Sequence, residues 1–221
     1  MNGLLLVNKP VGITSFDVIR RLRVVSGIRK IGHAGTLDPL ASGLMLILFE
    51  AACRRAEVLS KLDKRYLAVA QLGFNSTTGD GEGDKLPVSD LIPSRTEVDA
   101  AALKLIGLIT QVPSAYSAIK IRGQEAYKRV RAGEAVEMPS RQVTVYDLGI
   151  TSYDYPELKF DAKVSSGTYI RSLGQDLGGI LGTGAYLSGL VRTEVGKYRL
   201  EDAINLEEAD ADMIASRLIG I

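Results

Sequence analysis

The chain has 221 residues, of which 46% are hydrophobic and 24% charged, and this composition excludes a wholly disordered, collagen-like or coiled-coil protein. No apolar run approaches the ~20 residues of a membrane-spanning helix, and the N-terminus becomes polar too soon for a signal peptide. A single cysteine and a single histidine exclude an internal disulfide, a cysteine-based zinc site and a histidine-rich metal site. We therefore expect one reduced, cytoplasmic domain that needs no metal.

The net charge of +1 conceals a segregated charge distribution. Residues 1–35 carry six basic side chains against one acidic, and residues 100–145 carry seven against three. Residues 79–99 carry six acidic side chains against two basic, and residues 201–221 six against one. Such segregation can give a nearly neutral protein a basic, nucleic-acid-binding face, although charge runs also form ordinary solvated surfaces.

Hydrophobic patterning predicts short strands interspersed with helices. The predicted strands cover residues 3–8, 43–50, 65–74, 141–153, 157–165 and 191–200. The predicted helices cover residues 15–26, 54–62, 97–109, 124–132, 168–181 and 206–219. Several strands follow one another directly, without a strict strand–helix–strand rhythm. This order favours an α+β fold with a mixed, largely antiparallel sheet flanked by helices.

Local capping signals set several of these helix ends. Thr14 or Ser15 can cap the first helix, and Ser94 with a glutamate three residues later forms a capping box. Thr168 is predicted to cap the helix that ends near residue 181. The first helix is predicted to bury Phe16 on its apolar face.

The most informative segment is GHAGTLDPLASG, residues 32–43. Pro39 moves Asp38 out of helical backbone conformation, and glycines such as Gly35 and Gly43 permit tight turns and close backbone approach. A carboxylate on a constrained loop before an apolar strand is typical of a catalytic group, and it is also typical of a simple turn. The residues alone leave both interpretations open.

The GHAGTLDPLASG loop resembles the catalytic motif of the bacterial tRNA pseudouridine-55 synthases, the TruB family, with its single essential aspartate. Further segments resemble other motifs of that family in the correct order along the chain, namely LLLVNKPVGITSFDVIRRLR, DKRYLAVAQLG, TTGDGEGD, PSAYSAIKIRGQEAYKRVRAGE, VSSGTYIRSLGQDLG and LSGLVRTEVGKY. The sequence departs from the family at FEAACRR, where Gly-x-Ala-Thr-Lys is usual.

The resemblance implies the pseudouridine synthase fold, as a single catalytic domain over residues 1–221 with a basic, thumb-like RNA-binding segment near 113–141. The family's usual C-terminal RNA-binding PUA domain has no room in this length, so we expect none in this chain. The implied partner is the T-arm of tRNA, and we expect a cytoplasmic monomer that binds no membrane.

The implied reaction converts uridine 55 in the T-loop to pseudouridine without a cofactor or a metal. The uridine is flipped out, its N1–C1′ bond is cleaved, the base rotates, and a C5–C1′ bond forms. Two other functions compete with this one. A catalytically silent RNA-binding or tRNA-folding module could use the same fold, and a glycoside hydrolase would normally need a second carboxylate besides Asp38.

Three residues are the implied catalytic set. Asp38 would act as nucleophile toward the sugar or the base, or as a general base. Tyr66 would stack on the target base and serve in proton transfer at C5; otherwise it is a tyrosine at the edge of the core. Arg171 lies in the first turn of a predicted helix, where the helix dipole disfavours a cation, so we expect an anionic partner. The family implies Asp38, whereas an arginine facing solvent or a phosphate is the alternative.

The resemblance also assigns residues that bind the substrate. Lys9 would support the pocket, His33 would contact the T-loop, Tyr169 would line the uridine pocket, and Leu190 would pack against the flipped base. The basic segments would follow RNA phosphates, unless they are merely solvated helix surface. These backbone-contact candidates are Arg20, Arg23, Lys30, Lys120, Lys128 and Arg131.

Overall fold

A computed structural model describes residues 1–113, 120–121, 123–134 and 136–221 of the chain. These residues form two compact units. Unit 1 comprises Met1–Leu67 and Gly189–Ile221, and unit 2 comprises Ala68–Ser188. Part of the predicted thumb-like segment lies outside the described residues. The expectation of a single catalytic domain stays a prediction.

The strands and helices have the following bounds. The strands are β1 (Gly3–Lys9), β2 (Ile31–His33), β3 (Ala41–Phe49), β4 (Lys64–Leu72), β5 (Phe74–Ser76), β6 (Lys85–Pro87), β7 (Gly107–Gln111), β8 (Lys120–Ile121), β9 (Gln124–Glu125), β10 (Arg141–Asp154), β11 (Glu157–Val164), β12 (Ala185–Val195), β13 (Tyr198–Arg199) and β14 (Ile204–Asn205). The α-helices are α1 (Ser15–Ser26), α2 (Ala56–Ser60), α3 (Arg95–Leu103), α4 (Ala126–Arg131), α5 (Ile170–Leu181) and α6 (Ala211–Arg217).

The sheet of unit 1 has the order β14-β1-β3-β12. Strand β1 pairs antiparallel with β3, whereas β12 pairs parallel with β3 and places Leu190 opposite Ala41. Both β1 and β3 are almost entirely buried, which explains why their sequences are continuous apolar runs rather than alternating patterns. Alternate leucines of β1 and β3 pack with Leu59 and Val195 into one apolar cluster.

Helix α1 begins and ends as its sequence predicts. Thr14 and Asp17 form a reciprocal capping box, and Gly27 closes the helix in the left-handed conformation with φ 70°. The prediction that Phe16 is buried is wrong, because its side chain is 55% exposed. The buried face of the helix instead begins at Ser15, which lies one residue before Phe16 and thus about 100° away from it around the helix axis. Ser15 faces inward because its hydroxyl forms a hydrogen bond to the peptide of a neighbouring loop.

In unit 2 the strand order is β4-β11-β10-β7. Strand β10 pairs antiparallel with both β11 and β7. Along β11 every second side chain is buried, from Leu158 to Val164, as expected for a strand with one face in the core. Helix α3 packs on β10 and on α5. The α+β class with a mixed, largely antiparallel sheet and flanking helices is confirmed.

Several predicted boundaries are wrong for local reasons. The helix predicted over 97–109 ends at Leu103, because Gly107 has φ 109° and the chain then enters β7. Helix α5 is capped by Tyr169 without a side-chain hydrogen bond, while the Thr168 hydroxyl donates to the Ser165 carbonyl. The predicted strand over 191–200 is β12, which begins and ends earlier.

The segment that departs from the family motif contains 3₁₀ helix, and so does the segment that was predicted to be a single C-terminal helix. The FEAACRR segment forms a 3₁₀ helix over Glu50–Arg55, followed by the short α2. The helix predicted over 206–219 is a 3₁₀ turn over Leu206–Glu208 followed by α6. Within the described part of the chain, none of the helices has the length and hydropathy needed to cross a bilayer.

Candidate active site

The loop that presents Asp38 is anchored on both sides of the aspartate by helix α1 and the turn before it. The buried Ser15 hydroxyl accepts a hydrogen bond from the Leu37 amide (2.8 Å) and donates one to the Leu37 carbonyl (3.0 Å). On the other side, the Gly12 amide donates to the Pro39 carbonyl at 2.8 Å. The peptide groups that flank Asp38 are therefore fixed before any substrate binds.

Gly43 lies within β3, two residues after the strand begins, and no other residue type fits there. Its φ is 105°, and a Cβ would lie 2.4 Å from the Arg192 carbonyl oxygen and 2.7 Å from the Arg192 nitrogen. These distances are shorter than van der Waals contact, and the obstructing atoms are backbone. A glycine is therefore required for the close pairing of β3 with β12.

We expect Gly43→Ala to destabilise the protein by about 2–5 kcal/mol, because left-handed strain and a backbone clash add together. Thermal unfolding measures the effect. The matched control is Gly149→Ala in β10, where a new Cβ meets nothing within 4 Å; its expected change is within about 0.5 kcal/mol. Equal melting temperatures for the two variants would show that the β3–β12 approach is looser than described.

Lys9 is fully buried at the end of β1, in the same unit as Asp38. Its Nζ donates to the carbonyls of Pro10 and Ile13, each at 2.8 Å. Burial lowers the pKa of Lys9 to about 8; the nearby Asp38 carboxylate opposes this shift, and the Arg192 charge adds to it. Lys9 therefore holds the turn after β1 and places a positive charge within electrostatic range of Asp38.

His33 lies at the end of β2, just before the loop. Burial lowers its pKa, the Arg192 charge lowers it further, and a hydrogen bond to the Gly35 main chain opposes the shift. Its Nδ1 atom is buried and has no hydrogen-bond partner among the described residues. Burial and the Arg192 charge therefore both disfavour the protonated form of this imidazole.

Tyr66 and Leu190, two of the residues predicted to contact the substrate, both lie in unit 1. Tyr66 is buried on β4, and Leu190 is buried on β12 opposite Ala41, the residue with which β3 begins. The described contacts test neither the stacking role of Tyr66 nor the packing role of Leu190, and both stay predictions.

Arg171 has a buried acidic partner in unit 2 that its sequence context does not predict. Its Nη1 lies 3.1 Å from Asp80 Oδ2 and donates to the Thr78 carbonyl at 3.1 Å, and the side chains of Arg171 and Asp80 are only 5% and 6% exposed. The other Asp80 oxygen accepts from the Thr78 hydroxyl and the Glu82 amide. The expected anion is therefore present beside the first turn of α5.

The sequence does mark Asp80 as a functional candidate, because it lies in the TTGDGEGD segment, which resembles an acidic motif of the family. Its pairing with a residue 91 positions away was not visible in the local pattern. The pairing of Arg171 with Asp38, which the resemblance implied, concerns residues of different units and stays a prediction.

Tyr169 is fixed by two residues that sequence reasoning missed. The buried Gln111 side chain accepts from the Tyr169 amide at 3.0 Å and donates to the Tyr169 carbonyl at 3.3 Å. The guanidinium of Arg141 lies 4.5 Å from the centre of the Tyr169 ring. Two Arg141 nitrogens, Nε and Nη2, are buried without a hydrogen-bond partner in the described part of the chain. An aromatic residue whose backbone is held by hydrogen bonds thus presents its ring to a cation.

The proposed phosphate contacts fall on exposed surface where they are described. Arg20 pairs with Asp17 at 3.0 Å, and the guanidiniums of Arg20 and Arg23 lie 5.6 and 5.8 Å from the Phe16 ring centre. Lys30 and Lys128 are exposed. The side chains of Lys120 and Arg131 lie outside the described residues. Among the residues that are described, no group of three or more His, Cys, Asp or Glu is placed to hold a metal ion.

Chains of two solved complexes share this fold. A chain of a Cbf5–Nop10–Gar1 complex matches with a TM-score of 0.72 and 29% identity over 93% of this chain and 53% of its own length. A chain of an H/ACA RNP bound to a substrate RNA containing 2′-deoxyuridine matches with a TM-score of 0.69 and 28% identity, over 93% of this chain and 51% of its own. This protein spans about half the length of those chains.

The family model for TruB family pseudouridylate synthase (N terminal domain) matches residues 23–170. The predicted pseudouridine synthase fold is thereby confirmed. The tRNA pseudouridine synthase B of Thermobifida fusca is 45% identical over 96% of this chain and 75% of its own length. That of Clostridium novyi is 41% identical over 100% of this chain and 76% of its own. The chain belongs to the TruB family of pseudouridylate synthases.

Proposed function

We propose that this protein isomerises uridine 55 in the T-loop of tRNA to pseudouridine, as a cytoplasmic monomer that grips the T-arm. The observation that carries the proposal is Asp38, the carboxylate of the family-like motif, on a loop whose peptides are held on both sides by Ser15 and Gly12. The relatives named tRNA pseudouridine synthase B support tRNA as the substrate.

The proposed chemistry rearranges bonds within one nucleotide. The N1–C1′ bond breaks, the detached uracil rotates, C5 bonds to C1′, and the C5 proton leaves while N1 gains one. Asp38 serves as nucleophile toward the sugar or the base, or as the base that removes a proton. Because its loop is anchored in advance, little orientational freedom remains to be lost in the transition state.

The other side chains contribute to holding the extruded nucleotide. Flipping a uridine out of a folded loop costs a few kcal/mol of stacking, and apolar and aromatic side chains must replace that stacking. We assign this task to Tyr66, Tyr169 and Leu190, and the contact with the T-loop to His33. The hydrogen-bonded backbone of Tyr169 supports its role, and the His33 Nδ1 atom, which has no hydrogen-bond partner among the described residues, supports that of His33.

Phosphate contacts on α1 carry part of the affinity in this proposal. A double substitution of Arg20 and Arg23 by alanine is expected to weaken tRNA binding and to reduce the slope of log affinity against log salt by about 0.7–0.9 per lost phosphate contact. Arg199→Ala is the matched control, because Arg199 is similarly exposed in the same unit and lies 3.8 Å from Glu201, as Arg20 lies beside Asp17. Identical salt slopes for the double variant and the control would remove α1 from the RNA interface.

Tritium release tests the reaction itself. A tRNA transcript labelled with tritium at C5 of its uridines should release one tritium per molecule when it is incubated with the protein, because the C5–H bond breaks as the C5–C1′ bond forms. Binding without release would favour the alternative of a catalytically silent RNA-binding module. The names of the relatives favour the enzyme.

A further inference from the structure

Arg192 on β12 is a buried cation whose described hydrogen bonds all go to main-chain carbonyls. Its side chain is 1% exposed. Nε donates to Leu44 at 2.8 Å, Nη1 to Thr36 at 3.3 Å and Nη2 to Gly35 at 3.2 Å. Burying a guanidinium is costly unless its donors are satisfied, so these three bonds are needed to keep it inside. Two of the three acceptors lie two and three residues before Asp38.

The backbone of Arg192 is also held in place, by strand pairing. It pairs in parallel register with Gly43, at the close approach that leaves no room for a Cβ. The Arg192 backbone is thus paired with Gly43 in β3, while its side chain extends to the Gly35 and Thr36 carbonyls at the other end of the loop. The segment from Gly35 to Gly43 is consequently attached to one residue at both of its ends.

We infer that Arg192 is a positioning residue that fixes the Gly35 and Thr36 carbonyls and thereby sets the direction in which Asp38 faces. The inference rests on the proposed function and deepens it. In this role Arg192 acts through the loop backbone, because its described hydrogen bonds go to main-chain carbonyls. Ser15 and Gly12 hold the peptides next to Asp38, and Arg192 holds the preceding turn.

The Arg192 charge acts on three other titratable side chains of the same unit. Burial is the main cause of the lowered pKa values of Lys9, Lys64 and His33, and the Arg192 charge adds to the lowering in all three. Lys64, like Arg192, is buried and directs its donors at carbonyls, those of Ser60 and Leu62. The described hydrogen bonds of Lys64 stay within its own turn, whereas those of Arg192 reach the Asp38 loop.

The test compares Arg192→Lys and Arg192→Met with Leu59→Ala. Lysine keeps the charge but cannot reproduce the planar fork that reaches three carbonyls. Leu59 is buried in the apolar cluster of the same unit, so its truncation lowers stability without removing a bond to the loop. At a temperature where every variant is folded, we expect both Arg192 variants to lower the single-turnover rate by about 10- to 100-fold, with little change in tRNA affinity.

A second measurement separates this inference from the choice of substrate. Amide hydrogen exchange in a peptide covering residues 34–41 should be faster in Arg192→Lys than in the wild type, whereas Leu59→Ala should leave that peptide unchanged. Exchange does not require RNA, so it tests the inference even if tRNA is the wrong substrate. Unchanged exchange with an unchanged rate, or loss of the fold in both Arg192 variants, would assign Arg192 to the core and overturn the positioning role.

Discussion

Replacing Asp38 with asparagine is expected to abolish pseudouridine formation and to leave the fold and tRNA affinity nearly unchanged. The amide has almost the shape of the carboxylate, so the loop anchors at Leu37 and Pro39 remain. It cannot act as a nucleophile or as a base at neutral pH. Even if Asp38 acts only as a general base, the loss should be at least about 10²-fold.

Single-turnover rates, melting temperatures and tRNA affinities measure this effect. Asp99→Asn is a suitable control, since Asp99 is an exposed carboxylate that pairs with Arg95 on α3. The control should retain the wild-type rate. An Asp38→Asn variant that keeps more than about a tenth of that rate would exclude the nucleophile and the general-base roles alike.

Arg171→Ala is expected to reduce both stability and turnover. It leaves Asp80 as a buried charge without its guanidinium, and breaking a buried pair on one side costs about 3–5 kcal/mol. For a chain of this length, that loss lowers the melting temperature by about 6–20 °C. Turnover should fall much more than tRNA affinity, because the family assigns Arg171 to the catalytic set.

The exposed pair of Arg95 and Asp99 is the matched control for the buried one. Its partners are 50% and 47% exposed, so Arg95→Ala should cost only about 0.2–1 kcal/mol. A double-mutant cycle with Asp80→Ala isolates the coupling between Arg171 and its partner. A melting temperature for Arg171→Ala equal to that of Arg95→Ala would mean that the buried pair contributes no more to stability than the exposed one.

The same cycle, carried out with Asp38→Asn and read as turnover, tests the predicted pairing of Arg171 with Asp38. If the two groups act as one unit, the double variant should be about as slow as the slower single variant, because catalytic groups that act together are strongly non-additive. Additive losses would show that the two side chains act independently.

Features encoded within a few neighbouring residues could be predicted from the sequence. The cap at Thr14 and the capping box at Ser94 were predicted, because a hydroxyl next to the first helical residue accepts from the free amides there. The continuous apolar run of β3 and the alternation along β11 likewise follow from burial on two faces or one. The Asp38 loop was identified because a family motif coincides with glycine and proline constraints.

Features that depend on distant partners could not be predicted. Arg192 bonds to Gly35 across 157 positions of the sequence, and Gln111 holds Tyr169 across 58. No local pattern marks either residue as anything but strand. The exposure of Phe16 was not predicted either. Phe16 is hydrophobic and therefore suggested burial, whereas the residue that is buried is Ser15, whose polar side chain did not suggest it.

Chemical mapping of pseudouridine in an unmodified tRNA transcript is the most direct test of the proposed function. The wild-type protein should modify one uridine, at position 55 in the T-loop, and the Asp38→Asn variant should modify none. Modification at another position would contradict the proposed substrate site. No modification by wild-type protein that binds the transcript would contradict the proposed reaction.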